Sequence, residues 1–290
     1  MSYPDQRILI VDGDQDAVRF LKRLMRPLGH IQSTWVSSLE QGMALLDEHD
    51  FAAVITDLGP GGLDHLVALR RAAPLVPLVV LTRSGDTIAS QAIQLGAQES
   101  ISHAELTTAR LSQALRCAIV RKSAELELQR HAHYDQLTGL LNKHRFTRIL
   151  DQRVAEQPEQ PLTLLFLDLN DFKAINDTHG HRAGDVVLSV VGRRLLAATR
   201  ACDAVARLSG DEFAVLMEGD PSAAAAERIR AAIMAPISHG AHHLVVGVSV
   251  GHASFPAQGR TAAALLEQAD AAMYGDKRRQ KGRTARATSA

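Results

Sequence analysis

The segment Phe166-Leu-Asp-Leu-Asn-Asp-Phe-Lys-Ala-Ile-Asn-Asp-Thr-His-Gly-His-Arg-Ala-Gly-Asp185 decides how this chain is read, together with Arg207-Leu-Ser-Gly-Asp-Glu-Phe213. In each, carboxylates stand where an apolar strand ends or begins. Asp168 follows the run Leu162–Leu167, while Asp211 and Glu212 open the strand after the Ser209-Gly210 turn. If the two strands are neighbours, three acids meet at one sheet edge. Acids brought that close repel unless a cation neutralises them. Mg²⁺, which takes oxygen ligands and substrate phosphates, suits such a set, and two-metal phosphoryl chemistry needs one. A single surface acid is more simply a loop cap; three at strand ends call for more.

Around these segments the order is helix (Lys143–Arg153), strand (Leu162–Leu169), helix (Asp185–Ala198), strand (Ala204–Leu208), strand (Glu212–Met217), helix (Ala223–Met234), strand (Leu244–Gly251) and helix (Ala262–Tyr274). Without the first helix this is β-α-β-β-α-β plus a tail helix, a ferredoxin-like α+β arrangement. Pro158, Pro161, Pro221 and Pro236 fall at element edges, where a missing N–H does least harm. Upstream, Ile8–Val11, Ala52–Ile55 and Leu78–Leu81 are unbroken apolar runs, as in strands buried on both faces of a parallel sheet. Helical spacing over Asp16–Leu28, Leu39–His49, Leu63–Ala73 and Thr87–Leu95 makes this a doubly wound, flavodoxin-like α/β domain. From Glu105 to about His133 there is neither Pro nor Gly, and Leu106, Leu111, Leu115, Ala118 and Ile119 form an apolar stripe. One helix is expected there, about 40 Å long, packing on the first domain and then projecting as a connector. A short coiled-coil dimer is open to its second half, although Lys122 and Gln129 fall where a seam wants Leu. The expected division is a regulatory domain over 1–122, a connector to about 133, and a second domain over 134–290.

The 290 residues suffice for two cores, and 46% apolar with 22% charged residues is a globular balance. A formal charge of +0 gives no case for binding nucleic acid or an acidic membrane. Only the run Lys277–Arg283 is basic; a solvated terminus and a ligand-facing segment both stay open. Cys117 and Cys202 have neither metal-ligand spacing nor a disulfide framework. Residues 1–7 carry no charged-then-apolar leader, and no apolar stretch approaches the ~18 residues of a membrane span. A cytoplasmic protein with no nucleic-acid or membrane partner is therefore expected.

Four spaced motifs give a resemblance to GGDEF-domain diguanylate cyclases. That family carries D-x-D/N-x-F-K-x-I-N-D-x-x-G-H-x-x-G-D, reproduced from Asp168 to Asp185. Its opening motif D-x-L-T-G-L-x-N stands at Asp135–Asn142, its A-D-x-A-x-Y-x-x-K at Ala269–Lys277, and its signature at Ser209–Phe213. The resemblance implies metal binding by Asp168, the Leu169 carbonyl and Glu212, with Asp211 acting on the attacking 3′-hydroxyl as ligand or proton acceptor. It implies that Asn176 and Asp185 read the guanine edge, that His181 lines the same pocket, and that Lys173 and Lys277 face the triphosphate. The implied reaction joins two GTP into cyclic di-GMP and releases two pyrophosphates, with Mg²⁺ or Mn²⁺ as cofactor. Each domain holds one GTP, so a homodimer is implied. The same frame makes Arg200-Ala-Cys-Asp203 a product-inhibition site, Arg gripping guanine or phosphate and Asp the guanine edge, with Arg207 contributing. Apart from the motif, His179 and His181 read as ordinary surface histidines, and so do the pairs His131/His133 and His242/His243.

Two departures matter. Ser209 replaces the signature's first glycine; a side chain forced to positive φ in a tight hairpin costs ~1–2 kcal/mol, so weakened turnover is expected. The gap from Lys277 to Gly282-Arg283 is about two residues longer than the family's K-x-x-G-R, which leaves Arg283 without an assigned role.

The first domain resembles a response-regulator receiver, with Asp57 at the phosphoacceptor position after strand Phe51–Thr56, Asp12 ending the first strand and Thr82 the fourth. The second acid of its metal pair is Gly13, followed by Asp14. The lysine position is His103 and the switch-aromatic position Ser100. Acyl-phosphate chemistry needs Mg²⁺ and a cation at the phosphate, so slow or absent phosphorylation is expected, with a working phosphoswitch on the residual acids Asp12, Asp14 and Asp57 as the alternative. The expected role is a dimerisation or partner-binding module that meets a sensor kinase or other signalling protein. The expected whole is a diguanylate cyclase; the alternative is a catalytically weak or inactive module that binds cyclic di-GMP or GTP.

Overall fold

The computed structural model describes residues 6–29, 31–58, 62–83, 86–219, 223–240 and 242–288, without the side chains of 86, 223, 224, 242 and 281–288. The readings made on residues 1–5, on Pro221 and on the side chains of His242 and Arg283 lie outside what is described. The chain divides into two compact units, Met1–Leu128 and Gln129–Ala290.

The first unit runs β1 (Gln6–Val11), α1 (Gln15–Met25), β2 (Ile31–Val36), α2 (Leu39–Glu48), β3 (Ala53–Asp57), α3 (Gly62–Ala72), β4 (Leu78–Thr82), α4 (Asp86–Gln94), β5 (Glu99–Ser102) and α5 (Thr108–His133), whose last turn enters the second unit. Its sheet is parallel, in the order β2-β1-β3-β4-β5. Ile8 and Ile10 face α1 and α5, while Leu9 and Val11 face Leu66, Leu69 and Ala92 of α3 and α4. Burial on both sides is why β1, β3 and β4 are unbroken apolar runs. β2 and β5 are the sheet edges and carry no such run. Ile-Gln-Ser-Thr-Trp-Val alternates in exposure, and in Glu-Ser-Ile-Ser only Ile101 is buried. α1 stops at Met25, short of Leu28, because Pro27 sits in a separate 3₁₀ turn.

The second unit runs β6 (Leu141–Asn142), α6 (Lys143–Glu156), β7 (Leu162–Asn170), α7 (Phe172–His179), α8 (His181–Ala198), β8 (Ala204–Ser209), β9 (Glu212–Glu218), α9 (Ala223–Met234), β10 (Ile237–His239), β11 (His242–Leu244), β12 (Gly247–Phe255) and α10 (Ala262–Thr288). The sheet order is β12-β7-β9-β8-β6, antiparallel except that β6 lies parallel to β8. With α8 and α9 as crossovers, this is the β-α-β-β-α-β pattern. Leu165, Leu167 and Leu169 pack under α8 and α9; Leu164 and Phe166 pack under α6 and α10.

Three details differ from expectation. α7 occupies the stretch left without an element, and its eight residues show only Phe172 and Ile175 at helical spacing against the core. The strand expected at Leu244–Gly251 is two strands, β11 ending at Leu244 and β12 running to Phe255. α10 continues past Tyr274 to Thr288.

Candidate active site

Asp168 lies inside β7 rather than beyond its end. It is paired with Glu212 of β9 on one side and Ser249 of β12 on the other. It shares parity with Leu164 and Phe166, which puts it on the sheet face covered by α6 and α10. There it is 8% exposed, and the Lys277 Nζ from α10 stands 2.5 Å from its Oδ1. Cross-strand partners in an antiparallel pair have Cβ atoms about 5 Å apart, so Asp168 and Glu212 spring from adjoining points on one surface. Asp211 sits in the hairpin loop, where its carbonyl accepts the Leu169 N–H at 3.2 Å. The hairpin is thereby tied to the strand that carries Asp168. Burial pushes the Asp211 carboxyl above its ordinary value against a local backbone hydrogen bond, and the negative charges of Asp168 and Glu212 add to the rise.

The expected strain at Ser209 does not arise. The loop residues are Gly210 and Asp211, and the positive φ, +41°, falls on Gly210. Ser209 is the last residue of β8, paired with Glu212 after a register irregularity. Its hydroxyl donates to Glu212 Oε2 at 2.5 Å, so the serine contacts an acid instead of straining the backbone.

Among the described residues, no three His, Cys, Asp or Glu side chains stand close enough together to hold a metal ion. Glu212 is turned onto Ser209 and Asp168 onto Lys277. The donor chemistry nevertheless fits Mg²⁺. The site offers carboxylate oxygens of the kind Mg²⁺ takes, and the positive charge now set against Asp168 is the Lys277 ammonium.

α7 leaves β7 through Asp171, whose φ of 57° is left-handed, a conformation that Asp tolerates better than most residues. Asn176, half-buried on α7, meets α8 at Gly184, where a Cβ would stand 2.0 Å from the Asn176 Oδ1. A glycine there lets the two helices approach, with Asn176 on one and Asp185 next along on the other. His181 and Asp185 are exposed on α8 and Lys173 is exposed on α7. The structure thus gathers Asp168, Leu169, Asp211, Glu212 and Lys277, and brings Asn176 against the helix of Asp185.

Arg200 and Asp203 form the turn between α8 and β8. The Asp203 carboxylate accepts the Arg200 backbone N–H at 2.8 Å, and the Arg200 carbonyl accepts the Asp203 N–H at 3.0 Å. Arg207 stands four residues further along, about 13 Å at strand spacing, and its guanidinium is engaged elsewhere. Its Nε donates to the Gly210 carbonyl at 2.9 Å, and its Nη1 donates to both Asp135 carboxylate oxygens at 3.2 Å. Asp135 also accepts from the Thr138 N–H and hydroxyl at 2.9 and 2.6 Å. This tie between the opening motif and the signature hairpin has no signal in the sequence. The motif placed Asp135 without saying what it touches.

In the first unit, Asp57 ends β3 and is contacted by His103 Nε2 at 2.9 Å and Arg83 Nε at 3.6 Å, both on Oδ2. Asp14 cannot stand in for the acid lost at Gly13: its carboxylate caps α1, accepting the N–H groups of Asp16 and Ala17 at 2.9 and 3.2 Å. Asp12 is buried; one carboxylate oxygen accepts the Asp14 N–H at 2.8 Å and the other has no hydrogen-bond partner among the described residues. Burial above all, and then the charge of Asp57, raises its carboxyl above the ordinary value. Acetyl phosphate with Mg²⁺ is therefore expected to leave the intact mass unchanged. A phosphoryl adduct that disappears in Asp57→Ala would contradict this.

A family model described as the GGDEF domain of diguanylate cyclases matches residues 132–283, and one for the response regulator receiver domain matches residues 8–116. Diguanylate cyclase TpbB of Pseudomonas aeruginosa is 41% identical over 162 residues, which make up 53% of this chain and 37% of that protein. MucR of the same species, a bifunctional diguanylate cyclase/cyclic di-GMP phosphodiesterase, is 39% identical over 52% of this chain and 23% of its own length. The chain thus spans well under half the length of these relatives. Among solved structures, the coiled coil and GGDEF domain of DgcB from Caulobacter crescentus, in complex with c-di-GMP, aligns with TM-score 0.53 at 28% identity. It covers 59% of this chain and 93% of that one. No helix among the described residues is long and apolar enough to cross a membrane. The acid pair across β7 and β9, the motifs around it and the matched models carry one conclusion: the chain belongs to the GGDEF-domain diguanylate cyclase family, with a response-regulator receiver domain ahead of the GGDEF domain.

Proposed function

We propose that the chain is a diguanylate cyclase that condenses two GTP into cyclic di-GMP, working as a homodimer in which each GGDEF domain presents one GTP. The observation that supports this best is the register of Asp168 opposite Glu212, with Asp211 in the adjoining hairpin and Lys277 on Asp168. Asp168, Glu212 and the Leu169 carbonyl would hold Mg²⁺ or Mn²⁺, which when bound would neutralise charge on the phosphates and activate the attacking oxygen. Asn176 and Asp185 orient the guanine, and Lys173 and Lys277 hold the triphosphate against its own repulsion. In each of two rounds a 3′-oxygen bonds to the α-phosphorus of the other nucleotide, pyrophosphate leaves, and the hydroxyl proton passes to Asp211. Product bound at Arg200 and Asp203 restrains turnover. The receiver domain, within residues 1–122, regulates through partner contact in the cytoplasm, without phosphorylation at Asp57.

A second reading is favoured by one contact, Ser209 Oγ on Glu212 at 2.5 Å, which competes for a proposed metal ligand. Under it the chain binds GTP or cyclic di-GMP and turns over weakly or not at all. Chromatography after incubation with GTP and Mg²⁺ separates the two. Cyclase activity gives cyclic di-GMP with two pyrophosphates per product, and Arg200→Ala raises the plateau. Bound nucleotide without product, even in Arg200→Ala, would establish the binding module.

A further inference from the structure

Lys277 has a neighbour that the family motif leaves unspecified. Asp276, one residue earlier on α10, accepts three hydrogen bonds on its Oδ2: from the Val250 N–H at 3.1 Å, Arg230 Nη2 at 3.0 Å and Gln280 Nε2 at 2.9 Å. Arg230, on α9, also donates to the Val248 carbonyl at 2.7 Å, and Gln280 Nε2 reaches the same carbonyl at 3.2 Å. Gln280 Oε1 in turn accepts from Asn170 Nδ2 at 2.8 Å, and Asn170 Oδ1 accepts from the Ser249 hydroxyl at 2.7 Å. Ser249 is fully buried and sits opposite Asp168 in the sheet. The network therefore begins one residue from Lys277 and ends two residues from Asp168, on the same face of β7.

Its place explains a departure in the sequence. Gln280 lies in the stretch between Lys277 and Gly282 that is longer than the family pattern, and α10 continues unbroken through it. That continuation sets Gln280 one turn beyond Asp276, where both side chains meet. α10 also lies against β12 with little clearance: a Cβ at Gly251 would stand 2.1 Å from the Ala269 carbonyl oxygen. Apolar contact fixes how near the helix lies but only weakly how far it slides along the strand. Directional bonds to Val248, Val250 and Asn170 fix the slide. Both partners of the central ion pair are largely removed from water, with 22% of the Arg230 and 15% of the Asp276 side chain exposed. In such surroundings a satisfied network specifies geometry strongly.

We propose that Asp276, with Arg230 and Gln280, is a positioning group that holds Lys277 over Asp168 and thereby presents its ammonium to the triphosphate of GTP. This rests on the cyclase reading of the same site, yet its test needs no turnover. The probe is the α,β-methylene analogue of GTP, which cannot release pyrophosphate, titrated with Mg²⁺ against the full chain. Asp276→Asn and Lys277→Ala are each expected to weaken binding about tenfold, and the double variant no further than Lys277→Ala alone, since coupled residues do not add. A purely structural Asp276 would give effects that add, which overturns the proposal while leaving the GTP reading in place. A wild-type chain that binds no analogue overturns both. If Asp276→Asn fails to fold, Gln280→Ala takes its place in the cycle, with the same non-additive result expected and additivity again decisive against it.

Discussion

Asp168→Ala is expected to lower cyclic di-GMP formation by at least about 10³-fold, some 4 kcal/mol of transition-state stabilisation. The loss should appear in turnover rather than in folding. Asp168 offers the central carboxylate of the proposed site, opposite Glu212 and in contact with Lys277. Removing it strips a ligand and frees Lys277 to hold the triphosphate without a metal to share its charge. The core beneath is untouched: Leu165, Leu167 and Leu169 point to the other face, and the Lys277 side chain, 28% exposed, can turn to water. Asp168→Asn keeps the shape and loses the charge, so it should fall almost as far. The readout is product per unit time at saturating GTP and Mg²⁺, beside the melting temperature. A variant that retains a tenth of wild-type turnover would remove Asp168 from the chemistry and the metal site with it.

How far the residues announce this site depends on what kind of force fixes each part. Unbroken apolar runs name strands buried on both faces, so β1, β3 and β4 are legible, and the run Leu164–Leu167 does the same for β7. Edge strands are half solvated, and β2 and β5 leave no comparable trace. The acids of the site are legible as a set because their spacing is fixed by a hairpin and a strand end. Where those acids point is set partly by partners far away in sequence, Lys277 for Asp168 and Asp135 for the arginine that braces the hairpin, and for Glu212 by Ser209 within the hairpin itself. Ser209 shows the limit well. A signature serine in place of glycine reads as strain, but the turn places its positive φ one residue later, so the cost is not incurred. His103 shows the opposite case. The receiver's lysine position could be located from the sequence, and the structure adds that the imidazole reaches the Asp57 carboxylate directly.

The second large effect is expected from Arg207→Ala, at about 2 kcal/mol of stability and ten- to a hundredfold in turnover. With side chains 15% and 24% exposed, the Arg207–Asp135 pair lies between a surface ion pair, worth under ~1 kcal/mol, and a buried one whose rupture costs ~3–5 kcal/mol. Turnover suffers as well because Arg207 Nε holds the Gly210 carbonyl, and the next residue is Asp211. The stability loss carries a pH signature. Burial raises the Asp135 carboxyl, but hydrogen bonds from the Thr138 hydroxyl and N–H, followed by the Arg207 charge, outweigh it and leave it below the ordinary 3.8. An acid lowered on folding contributes stability that is present above its unfolded value and lost as pH falls through the folded one. The melting-temperature difference between wild type and Arg207→Ala should therefore be full near neutrality, about 4–8 °C for a unit of this size. It should shrink as pH drops below the ordinary carboxylate value and be lost only below the lowered folded-state value, where Asp135 is protonated in both proteins. Melts recorded from neutral pH down into that range decide the matter. A difference that stays constant across them would mean that Arg207 acts by packing alone and that its charge on Asp135 does not brace the hairpin.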